Sequence, residues 1–541
     1  MSQTSSEPGK NEKILFWASF MTLIAAGIGF SVRGAILKDW GQQFSFTQSE
    51  LGTITGGGLL AFGVTIIFFS FFADLFGYGK LMLVAFLLHA SSAIVTFAAT
   101  PVYAAYGKEG AYTCLSIGMW LFAFGNGTCE AVINPLTATL FPKNKTHWLN
   151  ILHAGWPLGL VLGAGIVLGF GQVGQPIRWE FKLGVFLIPV LAYGILMFNK
   201  PFPRSEAHAS GISMGTSILT LLSPVLLFLF VIHAMVGYVE LGTDSWIVNI
   251  TERVLGDANK ALMAFIWTNI MMFTLRFFAG PIVHQISPLG LLFFSATLGT
   301  AGLYMLGLDF SSSTWPWIAA VTVYGIGKTF YWPTMLGVIS ERFPKGGALA
   351  LGISGGIGMI SAGMLGGPGI GYKQDYFSVQ KIEETSPATY ERYEARNDKG
   401  EPAKTGFPIV SQFAPDKAPL VAGIDNGKYK VLEDYQGVKK DPTKKIGIDE
   451  ELDIIAAAKA KDPNAKGEDK LEANLNAQKK WWMEQGLPNE ANDLPKLEEA
   501  KTYGAKHALL VTAAIPATMA ICYLLLIIFF KLTGGYKQET I

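Results

Sequence analysis

Long apolar runs separated by short polar links set the plan of this chain. Runs of membrane-spanning length lie at about 14 to 37, 51 to 73, 80 to 100, 111 to 141, 149 to 171 and 181 to 199. A polar connector, 200–217, follows, and six further runs lie at about 218 to 248, 260 to 284, 288 to 308, 314 to 340, 346 to 371 and 506 to 531. In lipid every backbone polar group must be paired internally, and these runs are too long and too continuous for barrel strands. The pattern predicts an all-α membrane protein with twelve transmembrane helices in two six-helix halves. The first half is 1–199; 218–371 supplies helices seven to eleven of the second; 506–541 supplies the last helix and a tail. Between them, 372–505 is a large polar insertion.

Composition sharpens this in a few places. Half of the 541 residues are hydrophobic (50%) and only 15% are charged, as in a multi-spanning membrane protein. About half of all Asp, Glu, Lys and Arg fall between Gly371 and Ala505, leaving the remainder unusually apolar. The insertion is polar enough to suggest disorder, yet Asp449 to Lys461 and Lys470 to Gln485 read as helical blocks, so a small, partly helical cap is expected. Trp481 and Trp482 either anchor it at the membrane interface or pack it on itself. The net charge of +1 identifies no partner beyond the lipid bilayer, and none among nucleic acids is expected. Cys114, Cys129 and Cys522 sit in apolar runs without metal spacing, so neither a disulfide framework nor a metal site is expected, and no cofactor. The start of the chain reads as an uncleaved first span.

Lys and Arg near the run ends set the orientation. One side collects Lys10, Lys13, Lys80, Lys143, Lys145, Lys200, Arg204, Arg342, Lys345, Lys531 and Lys537; the other has Lys38, Lys108, Arg178, Lys182, Arg253 and Lys260. The richer side is expected to be cytoplasmic, which places both termini there and the insertion outside.

The chain repeats itself. Gly125 to Lys145 reads G-N-G-T-C-E-A-V-I-N-P-L-T-A-T-L-F-P-K-N-K, and Gly325 to Lys345 reads G-I-G-K-T-F-Y-W-P-T-M-L-G-V-I-S-E-R-F-P-K. One copy carries Glu130 and the other Lys328. A charge at the centre of a spanning helix costs roughly 2.5 to 3.5 kcal/mol on insertion scales, so such residues mark a pathway or a structural ion pair. Arg33, Glu240 and Asp244 join them, and Asn126, Glu130 and Asn134 recur every four residues on one stripe. Tyr324, Lys328 and Trp332 form another. Arg33 is either a site residue or one that reaches the interface, and Asp244 is either a site residue or a hydrated helix end. Arg276 is expected to pin a gate, while His89, His153 and His233 read as ordinary hydrogen-bonding residues. The glycines of runs two (Gly56-Gly57-Gly58) and eleven serve either static packing or gating.

Two duplicated halves of six helices resemble the major facilitator superfamily. Asp74-Leu75-Phe76-Gly77-Tyr78-Gly79-Lys80 keeps the Asp, the Gly and the final base of that family's Gly-x-x-x-Asp-Arg-x-Gly-Arg-Arg loop and departs at Ser70, Leu75 and Tyr78. The resemblance implies gating roles for Asp74, Gly77, Lys80 and Arg276. Glu130-Ala131-Val132-Ile133-Asn134-Pro135, with Leu149-Asn150-Ile151-Leu152-His153, is similar to the fucose:proton symporter branch, which implies substrate binding and proton coupling at Glu130. That branch has an acid late in its first helix, where this chain has Arg33-Gly34, and the long insertion is foreign to it.

The function expected is a secondary active transporter of the plasma (bacterial inner) membrane that alternates access and takes up a sugar or sugar derivative with protons. Substrate and coupling contacts are expected from Arg33, Asn126, Glu130, Asn134, Glu240, Asp244, Tyr324, Lys328 and Trp332. The alternatives are a transporter of organic anions, a sugar acid or monocarboxylate held by Arg33 and Lys328, or a transporter-like sensor. No nucleophile constellation or phosphate loop suggests an enzyme.

Overall fold

The computed structural model describes residues 9–44, 46, 48–56, 58–171, 177–309, 313–397, 399–414, 419–461 and 468–541; Gly57 of the predicted glycine triplet lies outside them. The chain divides into two compact units. The larger takes in the chain up to Trp40, Ser49–Gly367 and Thr512–Ile541. Its helices begin with α1 (Lys10–Ala35), α2 (Leu37–Phe44), α3 (Gln48–Gly56), α4 (Gly58–Phe76), α5 (Tyr78–Phe97) and α6 (Ala99–Leu140). They continue with α7 (Lys145–Gly171), α8 (Trp179–Gly184), α9 (Leu187–Met197), α10 (Glu206–Ala209), α11 (Met214–Leu221) and α12 (Pro224–Leu255). Then come α13 (Ala258–Arg276), α14 (Ala279–Gly307), α15 (Thr314–Lys328), α16 (Tyr331–Arg342) and α17 (Gly347–Ser361).

Against the twelve predicted runs, nine helical stretches among the described residues are long and apolar enough to cross a membrane. The runs left out are the fourth (α6), the eighth (α13) and the tenth (α15 and α16). The tenth is broken into helices of 15 and 12 residues. The fourth and eighth carry buried polar groups, Asn126, Glu130 and Asn134 on one and Asn269 and Arg276 on the other, which lower their apolarity.

Small residues set how closely these helices pack. A Cβ built on Gly63 of α4 would lie 2.8 Å from the carbonyl oxygen of Gly356 on α17, and one on Gly237 of α12 would lie 1.9 Å from that of Gly358. Both contacts require glycine, so the glycine row of α17 is a surface on which α4 and α12 pack backbone to backbone.

The second unit comprises Gly41–Gln48 and Pro368–Val511. It holds most of α18 (Gly367–Thr385), then α19 (Pro387–Tyr393), α20 (Pro408–Phe413), α21 (Asn426–Lys440), α22 (Gly447–Lys461), α23 (Glu468–Trp481) and most of α24 (Leu487–Thr512). Strands β1 (Lys404–Thr405) and β2 (Val421–Ala422) pair antiparallel. This unit has a core of its own, including Tyr393, Tyr429, Leu432, Ile448, Leu475, Trp482 and Leu497. Both tryptophans pack within it: Trp482 against Tyr435 and Trp481 edge-on to Tyr393. Asp493, fully buried, takes a hydrogen bond from Thr389 Oγ1 at 2.8 Å and another from Arg392 Nε at 2.8 Å. The last helix, α25 (Ala514–Leu532), returns the chain to the larger unit.

Candidate functional site

The stripe on α6 is buried, and it points in two directions. Asn134 Nδ2 donates to Glu130 Oε2 at 2.6 Å and to the Glu130 carbonyl at 3.1 Å. His153 Nε2 meets Asn134 Oδ1 at 2.9 Å, and since that oxygen only accepts, Nε2 carries the proton. Among the described residues no Lys or Arg pairs with Glu130, and its only hydrogen-bond donor is this neutral amide. Asn126 turns the other way: its Oδ1 meets His89 Nε2 at 3.1 Å, and His89 Nδ1 meets the Tyr193 hydroxyl at 3.0 Å.

Arg33 pairs with no carboxylate among the described residues. It is 1% exposed, donates to Ser92 Oγ at 3.2 Å and to the Gly29 carbonyl at 3.4 Å, and lies 4.0 Å from the Phe122 ring centroid and 5.0 Å from that of Phe186. Aromatic faces thus take the place of a counter-ion.

The charge of the second copy, Lys328, pairs with a carboxylate outside the repeat. Lys328, the last residue of α15, bonds Asp244 on α12, with its ammonium 5.6 Å over the Tyr324 ring. Tyr324 is held by its hydroxyl, which donates to the Val239 carbonyl at 2.7 Å. Trp332 sits edge-on to His233 at 4.7 Å. Asp244 is therefore part of a largely buried ion pair, and of the two readings left open for the charges of the repeats, an ion pair between Glu130 and Lys328 is not formed.

Arg276 connects α7, α12 and the end of α15. Its Nη2 lies 3.3 Å from Glu240 Oε1, its Nε donates to the Thr329 carbonyl at 2.8 Å, and its Nη1 donates to the His153 carbonyl at 2.5 Å. Two prolines make these carbonyls available. Proline has no N–H, so the carbonyl four residues before it in a helix loses its partner. Pro333 stands four residues after Thr329 and Pro157 four after His153. A single guanidinium, whose donors form a fixed fork, thus satisfies one freed carbonyl from each half of the chain. Glu240 Oε2 is buried and among the described residues has no hydrogen-bond partner.

A second set of contacts lies at the ends of α7 and α16. Lys145 Nζ pairs with Glu206 at 2.5 Å and donates to the Ser340 carbonyl at 3.2 Å. Thr146 donates to Glu341 Oε1 through its N–H at 3.2 Å and its hydroxyl at 2.6 Å. Asn150 Nδ2 donates to Thr334 Oγ1 at 3.1 Å, and Gly280 N–H to His147 Nδ1 at 3.0 Å. The expected gating residues lie outside this second set; Arg276 alone among them lies in the first. Gly77 begins α5 with φ of 82°, Lys80 is exposed, and Asp74 Oδ1 is buried with no hydrogen-bond partner among the described residues. The sequence reading missed Lys145, Thr146, Glu206 and Glu341. For Lys145, Thr146 and Glu341 the one signal was position, beside the Phe-Pro-Lys ends of the two repeats; Glu206, in the connector, had none.

The sequence profile of the Major Facilitator Superfamily matches residues 18–372. The chain belongs to that superfamily. It is thus an integral membrane protein and a transporter rather than an enzyme. Superfamily members of known structure share its fold. The E. coli fucose:proton symporter FucP aligns with a TM-score of 0.56 at 16% identity, over 68% of this chain and 93% of that one. The proton:xylose symporter XylE, bound to 6-bromo-6-deoxy-D-glucose, aligns at 0.56 and 14%, over 71% and 90%. No curated protein matches the chain by sequence.

Proposed function

We propose that this protein imports a sugar or sugar derivative with protons by alternating access between two six-helix halves. The reading keeps the twelve-span plan, the cytoplasmic termini and the placement in a plasma (bacterial inner) membrane. One observation carries it: Glu130 is buried, hydrogen-bonded to a neutral amide, and among the described residues paired with no cation. An isolated buried charge is so costly that the group is neutralised instead, here by a proton. Glu130 is the proton site, and Asn134 and His153 connect it to the backbone carbonyl that Arg276 holds. Changes in charge at Glu130 thereby bias the contact between the halves, which is what coupling requires.

Trp332 is the aromatic surface proposed for the apolar C–H face of a sugar, and Glu240, whose Oε2 has no hydrogen-bond partner among the described residues, an acceptor for its hydroxyls; Asn126, Asp244, Tyr324 and Lys328 would join them on leaving the partners they hold here. Support also comes from the fold shared with two sugar:proton symporters. The organic-anion alternative needs Arg33 and Lys328 as a joint clamp. Arg33 is held by Ser92 and Phe122 and Lys328 by Asp244, so the two cations share no partner and form no joint clamp.

In proteoliposomes, Glu130→Gln is expected to lose accumulation driven by a pH gradient by on the order of tenfold or more while retaining substrate exchange at equal pH. Undiminished gradient-driven uptake by this variant would end the proposal. A thermal-shift panel of neutral sugars, sugar acids and small carboxylates separates the two substrate classes, because a ligand that binds only the folded state raises its apparent stability.

A further inference from the structure

A cleft of about 510 Å³ opens between α5 and α9. Met82, Leu83, Phe86, Tyr193, Ile195 and Phe198 line it, and no acidic residue does. Its wall is apolar and open: Leu83 is 53% exposed, Ile195 74% and Phe198 77%. Its shape is built into the sequence, since a Cβ on Gly194 would lie 2.5 Å from the Phe86 ring. Phe86 folds down onto α9 only because that position is glycine. Two residues past the end of α9, Asn199 takes the left-handed region, φ 54°, a conformation that asparagine tolerates, and the turn brings Lys200 to the cleft that Lys80 also lines.

Lys80 and Lys200 are both exposed and neither has an ion pair among the described residues. They also line an adjoining cleft that contains Arg204 and Asp74. On the other flank of α9, at Leu196, Lys10 and Lys13 rim a further cleft with Trp17. The ends of α1, α5 and α9 therefore present several cations around apolar grooves.

We propose that the α5/α9 cleft binds an anionic phospholipid, with an acyl chain along Leu83, Phe86 and Ile195 and the phosphate between Lys80 and Lys200. The surface belongs to an integral membrane protein, so an acyl chain is the apolar partner available to it. Two unpaired lysines with no carboxylate in the cleft select a net negative headgroup over a zwitterionic one.

The test uses the full-length protein in phosphatidylcholine nanodiscs, titrated with phosphatidylglycerol and read by native mass spectrometry and thermal stability. Wild type is expected to retain phosphatidylglycerol over phosphatidylcholine by on the order of tenfold. Lys80→Gln/Lys200→Gln should bring that ratio close to one while melting like wild type in pure phosphatidylcholine, and Lys10→Gln should leave it unchanged. Equal retention of the two lipids by wild type, or a preference that survives in the double variant, overturns the proposal. So does a stability shift of the same size from inorganic phosphate alone, since the site would then recognise a free anion.

Discussion

Arg276 is the residue on which the two halves depend most directly. It touches the His153 carbonyl in one half and the Thr329 carbonyl and Glu240 in the other. Removing one partner of a buried ion pair costs about 3–5 kcal/mol, because the other charge is left uncompensated. Arg276→Ala should therefore destabilise the protein by about that much, read by thermal unfolding in detergent, whereas Arg276→Met/Glu240→Leu should recover most of the loss. A single variant as stable as wild type would show that the pair carries no such weight. Pro157→Ala probes the same contact from its other side. The new N–H competes with Arg276 for the His153 carbonyl, and a hydrogen bond of this kind contributes about 0.5–1.5 kcal/mol net. Faster labelling of a cysteine placed at Thr146 is the expected result, with overall helicity unchanged.

Among the elements, the chain's tail acts on the same contact. After α25, Gly534 and Gly535 take positive φ of 104° and 91°, a turn that glycine makes without strain, and the chain doubles back. The Tyr536 hydroxyl then donates to Glu341 Oε2 at 2.8 Å, Gln538 Nε2 donates to the Pro142 carbonyl at 2.5 Å, and Glu539 pairs with Arg342 at 3.0 Å. Pro142 ends the first repeat and Glu341 the second, so the tail bonds both halves where α7 and α16 meet. Truncation after Gly535 should make that end open more often, giving several-fold faster labelling of a cysteine at Thr146; unchanged labelling would reduce the tail to a passive extension. The sequence made helix content, the repeat and the stripe of Asn126, Glu130 and Asn134 legible, because periodicity reports which residues share a face. It could not report the partner across that face. Lys328 chose Asp244 rather than Glu130, and Arg33 turned toward Ser92 and Phe122, because such choices depend on how each helix is rotated against its neighbours. The link through Arg276 was readable in principle: Pro157 and Pro333 announce which carbonyls are freed, but not what takes them.

At the scale of the whole molecule, transport and the insertion draw on different parts of the chain. Under the alternating access proposed here, the contacts of α7 with α13, α14 and α16 must break and re-form, and these are individually modest hydrogen bonds around one buried ion pair. The second unit is built differently, around a continuous core in which Trp482 is 2% exposed and packs on Tyr435, with Arg392 and Thr389 satisfying the buried Asp493. A unit with its own core can melt on its own. Truncating a large buried aromatic costs about 3–5 kcal/mol, which is comparable to the whole stability of a small domain. Trp482→Ala should therefore unfold the insertion selectively. Trypsin would cut it around Lys440 and Lys444 at a temperature where the wild-type insertion is resistant, while the melting of the larger unit, followed by labelling of Cys129, stays in place. Were both transitions to fall together by the same amount, the insertion would be a structural part of the transport unit, and its separate core would not confer independent stability.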